Sequence, residues 1–240
     1  MNIRRLFRKK QKEPHCSVVV VAAGSSERMG SDKMLMTLGA KPVIIRTLMA
    51  FQQSPMVDDI VVVTRQEKIM GLADMIKLYD ISKVTQVISG GATRMESALA
   101  GVSAVKEGAK LIAIHDGARP LVTQGVIRRV VEAANEHMAA VPAVPCVDTM
   151  KQVNQEGVVI GSVDRSSVVR VQTPQVFDAD LIKGALSRAV EKNLPLTDDC
   201  SAMEMMGVKT YVVEGDAGNI KLTEPDDMIL AEAILKNRGE

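Results

Sequence analysis

The sequence predicts an α/β protein, a single doubly wound, mostly parallel sheet with a projecting β-arm. Three observations carry this reading. Short apolar runs alternate with amphipathic stretches along almost the whole chain. Runs such as Ile60-Val61-Val62-Val63 show no polar alternation, as expected of strands covered on both faces. The 240 residues, 46% of them hydrophobic, suffice for one domain with a full core.

Residues 1–14 carry six cations (Arg4, Arg5, Arg8, Lys9, Lys10, Lys12) against Glu13, a net charge of +5 that leaves the remainder at −4 within the overall +1. With little to bury, this stretch is expected to be a basic flexible tail before a domain spanning 15–240. Strands are expected at 17–22, 59–64, 84–88, 110–115 and 139–144, with a later one near 208–214. Helices are expected between and after them, at about 42–53, 66–79, 94–107, 124–138, 179–192 and 224–237. Thr93-Arg94-Met95-Glu96 and Thr223-Glu224-Pro225-Asp226 have the form of helix starts with reciprocal caps. Residues 145–175 break the rhythm, with Pro145, short β-prone pieces, the turn residues Asn154 and Gly157, and no helical pattern. An extended β-arm is the reading, and because an isolated hairpin is poorly stable it is expected to pair with something.

Composition excludes several functions. No apolar run approaches the ~18 residues of a membrane span, and the basic N-terminus lacks a signal-peptide apolar segment, so no membrane partner and a cytoplasmic location are expected. Cys16, Cys146 and Cys200 are widely spaced and odd in number, which favours reduced thiols over disulfides or a zinc site. Five aromatic residues leave little for base stacking, so no nucleic-acid partner is expected.

The chemistry-bearing segments sit where strands end, the place where open α/β sheets bind ligands. After the first strand comes Ala22-Ala23-Gly24-Ser25-Ser26-Glu27-Arg28-Met29-Gly30, then Lys33. Small residues let backbone N–H groups approach an anion and two cations add full charges, so a polyphosphate cradle and an ordinary strand-to-helix turn both fit. The spacing matches neither the phosphate-loop nor the dinucleotide fingerprint. Ser89-Gly90-Gly91-Ala92-Thr93-Arg94-Met95-Glu96-Ser97 offers a glycine turn and a helix N-terminus. In His115-Asp116-Gly117-Ala118-Arg119-Pro120 the carboxylate suits either Mg²⁺ shared with phosphate oxygens or an ion pair organising the loop, while His115 reads as a core histidine. Asp148-Thr149 and Asp164-Arg165 lie on the arm, and Lys221 precedes a helix start; all are compatible with plain surface positions.

Taken together and in order, A-A-G-x-x-x-R-M-G…K, G-G-x-x-R-x-x-S, H-D-G-A-R-P, V-D-T-M-K, V-D-R, Q-T-P-Q-x-F, T-D-D and N-I-K-L-T resemble the 2-C-methyl-D-erythritol 4-phosphate cytidylyltransferases over about residues 17–237. The resemblance implies a Rossmann-like nucleotidyltransferase fold and cytidylyl transfer from CTP to methylerythritol phosphate with release of pyrophosphate, in isoprenoid precursor biosynthesis. It implies catalytic roles for Arg28, Lys33, Arg165 and Lys221. It places Ala22, Ala23, Gly24, Ser25, Gly91, Ser97 and Asp116 at CTP, with Asp116 also at Mg²⁺ or another divalent cation. Arg119, Asp148 and Thr149 fall at the substrate, and the arm is implied to reach across a homodimer. A ribitol-5-phosphate cytidylyltransferase shares most of these motifs, and a non-catalytic nucleotide-binding regulator would share the fold.

Overall fold

In the computed structural model, residues 15–24 and 32–240 are described. The first half contains β1 (Cys16–Val21), a small pair β2 (Thr37–Leu38) and β3 (Lys41–Pro42), α1 (Val43–Gln52), β4 (Asp59–Thr64), α2 (Ile69–Leu78), β5 (Val84–Ser89), α3 (Arg94–Ala104) and β6 (Leu111–Asp116). The second half contains α4 (Gln124–His137), β7 (Ala139–Pro145), β8 (Lys151–Val153), β9 (Val159–Ser162), β10 (Val169–Val171), β11 (Gln175–Asp178), α5 (Ala179–Glu191), α6 (Asp199–Met205), β12 (Tyr211–Glu214) and α7 (Pro225–Arg238).

Every residue of β1, β4 and β6 is buried, as their unbroken apolar runs require of central strands. They pair in parallel, Val18 against Ile60 and Val19 against Ile114, and β5 continues the parallel set beyond β4. Successive side chains of a strand point to opposite faces. Val18, Val20, Ile60 and Val62 pack in one cluster with residues of α1, α2, α4 and α7. Val19, Val21, Val61 and Val63 pack in a second with α3, α5 and α6. The sheet is therefore doubly wound. Gly101 of α3 lies so close to Val19 and Val63 that any side chain there would collide with them.

The sheet is mostly but not wholly parallel. β11 runs antiparallel between β6 and β7, while β10 pairs antiparallel with the far end of β7 and β12 pairs parallel with it. Among the described residues, β11, α6 and the β2–β3 pair have no counterpart in the periodicity. Two to seven residues are too few for either repeat to declare itself.

The arm is shorter than the expected span of 145–175. Its core is the β8–β9 hairpin, whose turn is closed by Asn154 Oδ1 accepting from Glu156 N and Val158 N, with Gly157 at φ +78°. A 3₁₀ turn at Arg165–Ser167, capped by Asp164, follows. Val169–Val171 then rejoins the main sheet, and Gln172, Thr173 and Gln175 are buried in the body. The arm leaves Val147, Val153, Val158, Val159 and Ile160 exposed. All three cysteines are free and buried. No helix of the described residues is long and apolar enough to cross a membrane. The expected tail, 1–14, lies outside the described residues.

Candidate active site

A pocket of about 470 Å³ opens at the C-terminal ends of β1, β5 and β6, and its walls include Ala23, Gly24, Lys33, Arg94, Asp116 and Lys221. The pairing of the strands runs on into the loops that form it. Ala22 N donates to Val63 O (2.7 Å), Gly90 N to Thr64 O (2.8 Å) and Gly117 N to Val21 O (2.9 Å). Three strand ends thus deliver three loops to one point. Gly90 permits the closest approach, since a Cβ there would lie 2.9 Å from the Ala23 methyl and 2.5 Å from Ser97 Oγ.

The second loop is held by its helix. Thr93 caps α3 by accepting from Glu96 N, and Glu96 Oε2 reaches back to Ala92 N (2.6 Å) and Thr93 N (3.3 Å). Ser97, buried, accepts from Gly91 N at 3.2 Å and is within 2.9 Å of Thr93 O, so its hydroxyl fixes the shape of the glycine turn beside the pocket.

Asp116, at the end of β6, is the centre of charge. Its Oδ1 lies 3.2 Å from Arg94 Nε and Nη2, and its Oδ2 lies 2.8 Å from Lys221 Nζ. Burial opposes ionisation of this carboxylate, but Arg94 and Lys221 outweigh it and hold the group ionised well below the usual carboxylate range. Arg94 is in turn gripped by the buried Asp199 through paired bonds of 2.9 and 2.7 Å. Lys33 Nζ donates to Leu222 O (3.0 Å), so the loop before α7 carries Lys221 to Asp116 and also anchors Lys33. That loop is tied down by Asp227, whose Oδ2 accepts from Thr223 N, Thr223 Oγ1 and Glu224 N. The reciprocal cap of α7 is therefore between Glu224 and Asp227, one residue later than the sequence form indicated.

His115 is a core residue, as its position beside Ile114 indicated. Its Nε2 lies 3.1 Å from Arg119 O, its Nδ1 lies 3.0 Å from Thr173 Oγ1, and its ring meets Phe51 edge-on. Burial pushes its pKa down to about 4. The neutral ring donates from Nε2 to the carbonyl, which leaves Nδ1 to accept from the Thr173 hydroxyl. The same Thr173 Oγ1 accepts from Asp116 N at 3.1 Å. Thr173 thereby locks His115 and the backbone of Asp116 together. Its neighbours serve as clamps: Gln172 holds Asp216 through both ends of its amide, and Gln175 bonds Asp198 and Cys200 N.

The predicted residues separate into four sets. Lys33, Asp116, Lys221, Gly24, Ala23, Gly91 and Ser97 gather at the pocket, with Ala22 buried directly behind it. Arg119 does not line it; its Nη1 donates to Asn219 O (2.7 Å), so it braces the loop that presents Lys221. Asp148, Thr149 and Arg165 are exposed on the arm, Arg165 donating to Val147 O (3.0 Å), and none of them lines the pocket of its own chain. Ser25 and Arg28 lie outside the described residues. Arg94 and Asp199 received no role from the sequence. Both stood inside quoted motifs, but an Arg opening a helix reads as surface until its partner 105 positions away is known.

The described residues contain no cluster of three His, Cys, Asp or Glu side chains suited to a metal. Asp116 alone fits a hard cation that takes its remaining oxygens from a bound polyphosphate, and does not fit a protein-only metal cage.

Comparison with known proteins agrees with the motif reading. A family model for 2-C-methyl-D-erythritol 4-phosphate cytidylyltransferase matches residues 16–237. The protein of that name from Symbiobacterium thermophilum is 42% identical over 225 residues, covering 93% of this chain and 94% of its own. The Halalkalibacterium halodurans protein of the same name is 42% identical over 224 residues, covering 92% and 97%. Among solved structures, 4-diphosphocytidyl-2C-methyl-D-erythritol synthase from Anaerococcus prevotii superposes with a TM-score of 0.84 at 28% identity, covering 93% and 97%. The Thermus thermophilus cytidylyltransferase gives 0.76 at 31% identity, covering 92% and 99%.

Proposed function

We propose a mechanism from one premise: the chain belongs to the 2-C-methyl-D-erythritol 4-phosphate cytidylyltransferase family. It transfers the cytidylyl group of CTP to 2-C-methyl-D-erythritol 4-phosphate, releasing pyrophosphate. The observation that carries the mechanism is the pairing of Arg94 and Lys221 with one ionised carboxylate, Asp116, in a pocket at the strand ends that Lys33 also lines.

The chemistry needs this arrangement and little else. A phosphate monoester has a second pKa of about 6, so at neutral pH its oxygen attacks without a general base. That oxygen forms a bond to the α-phosphorus of CTP while the bond from the α-phosphorus to the oxygen bridging to the β-phosphate breaks, and the electron pair leaves with pyrophosphate. His115, neutral and with both ring nitrogens engaged, takes no proton from this reaction. The protein's task is to bring two anions together and stabilise charge on the phosphates in flight. Lys33 and Arg28 are assigned to the triphosphate, and Lys221 to the phosphates facing Asp116. Backbone groups of Ala22–Gly24 and Gly91 cradle the nucleotide, with Ser97 holding the second loop in shape. A divalent cation such as Mg²⁺ would sit on Asp116 and, when bound, would neutralise phosphate charge.

The arm completes the site across a homodimer in this reading, with Asp148, Thr149 and Arg165 serving the partner's acceptor phosphate. Its exposed apolar residues and their absence from the pocket of their own chain support that. Pyrophosphate release from CTP is the test, with methylerythritol phosphate and ribitol 5-phosphate as rival acceptors. Release with the first and little with the second is expected. Preference for ribitol 5-phosphate would reassign the acceptor, and no release with either would refute the mechanism.

A further inference from the structure

Arg94 divides its guanidinium between two carboxylates. The Nη1/Nη2 edge meets Asp199 in two bonds, and the Nε/Nη2 edge faces Asp116 Oδ1 at 3.2 Å. Asp199 is only 1% exposed and does not line the pocket. It is rigidly seated: Asp198 caps α6 through Ser201 N, and Gln175 on β11 bonds both Asp198 and Cys200 N. Asp116 meanwhile holds a second cation, Lys221, on its other oxygen.

Without Asp199, one carboxylate would face two full cations, a poor ligand for a third. With Asp199, the four groups sum to zero and part of Arg94's charge is already spent. We propose that Asp199 is a positioning residue that keeps Asp116 competent for a divalent cation, by fixing the orientation of Arg94 and supplying its counter-charge. This rests on the reading of Asp116 as the cation's protein ligand in the nucleotide site. An Arg fork fixed bidentately by one carboxylate cannot turn fully towards another, which is why the geometry and the charge argue the same way.

The test is calorimetric binding of CTP with and without MgCl₂, with the ratio of the two affinities as the readout. The unaltered chain should bind CTP more tightly with Mg²⁺; if the metal has no effect, the reading of Asp116 falls first and separately. In Asp199→Asn the volume stays and the counter-charge goes, so the metal enhancement should shrink about tenfold, although metal-free CTP binds no worse. The double variant Arg94→Gln with Asp199→Asn removes the cation as well and leaves no uncompensated buried charge. It should recover an enhancement equal to or above that of the unaltered chain, and it reads the proposal even if the single variant does not fold. A merely structural Asp199 would give equal enhancement in the single variant, or a double variant as impaired as the single. Either result overturns the proposal.

Discussion

Thr173→Val tests the lock behind the site. The substitution keeps the β-branched shape and removes one hydroxyl, whose oxygen lies 3.1 Å from Asp116 N and 3.0 Å from His115 Nδ1. Thr173 is 5% exposed and His115 fully buried, so water does not replace the lost partner. Two buried polar groups are then orphaned at about 1–3 kcal/mol each, which predicts a loss of ~2–6 kcal/mol. That is a large share of the ~5–15 kcal/mol typical of a domain and corresponds to a fall in Tm on the order of 10 °C. Thr173→Ser, which retains the hydroxyl, should lose much less. Urea denaturation of the three proteins measures this directly. A Thr173→Val protein within about 0.5 kcal/mol of the unaltered chain would refute the lock.

Three further outcomes are expected. Lys33→Ala should lower kcat by ~10²–10³, the value of a donor aimed at developing charge, with Tm little changed; a folded variant with near-normal turnover removes Lys33 from the mechanism. His115 stays neutral in the fold to about pH 4 against an ordinary 6.5, so the unfolded chain binds more protons between these values and stability falls as pH drops through that window, by at most ~1.4 kcal/mol per unit. His115→Gln should flatten that part of the urea-measured profile, and parallel profiles would contradict the assignment. Mixing Arg165→Ala with Lys33→Ala chains should restore up to about a quarter of normal activity per chain if sites are shared across a C₂ dimer, whereas a flat response in exchanged dimers would place Arg165 outside the partner's site.

The central strands were legible because burial on both faces leaves an unbroken apolar run, and most helices because burial of one face leaves an amphipathic repeat. β4 runs over 59–64 as read, and β1 and β6 lie within one residue of their expected bounds. What stayed hidden depends on distant contacts. β11 is four residues between two longer strands, and its place in the sheet is set by β6 and β7. The candidate site was legible where charge closes a strand, as at Asp116, or sits in the loop after one, as at Lys33. It was not legible at Arg94, whose meaning comes from Asp199 on a seven-residue helix that the periodicity does not mark. The arm's charged tips read equally well as solvated residues, since nothing local tells a residue used by a partner from one used by none.

In the proposed mechanism the acceptor phosphate attacks the α-phosphorus of CTP within the pocket around Asp116. Parallel incubations with methylerythritol phosphate and CTP labelled with ³²P at either the α or the γ position test it most directly. For the CTP consumed, α-label is expected in the organic product and γ-label in pyrophosphate. Transfer of γ-label to the acceptor, or release of α-label as CMP or CDP while the acceptor is consumed, would overturn that mechanism.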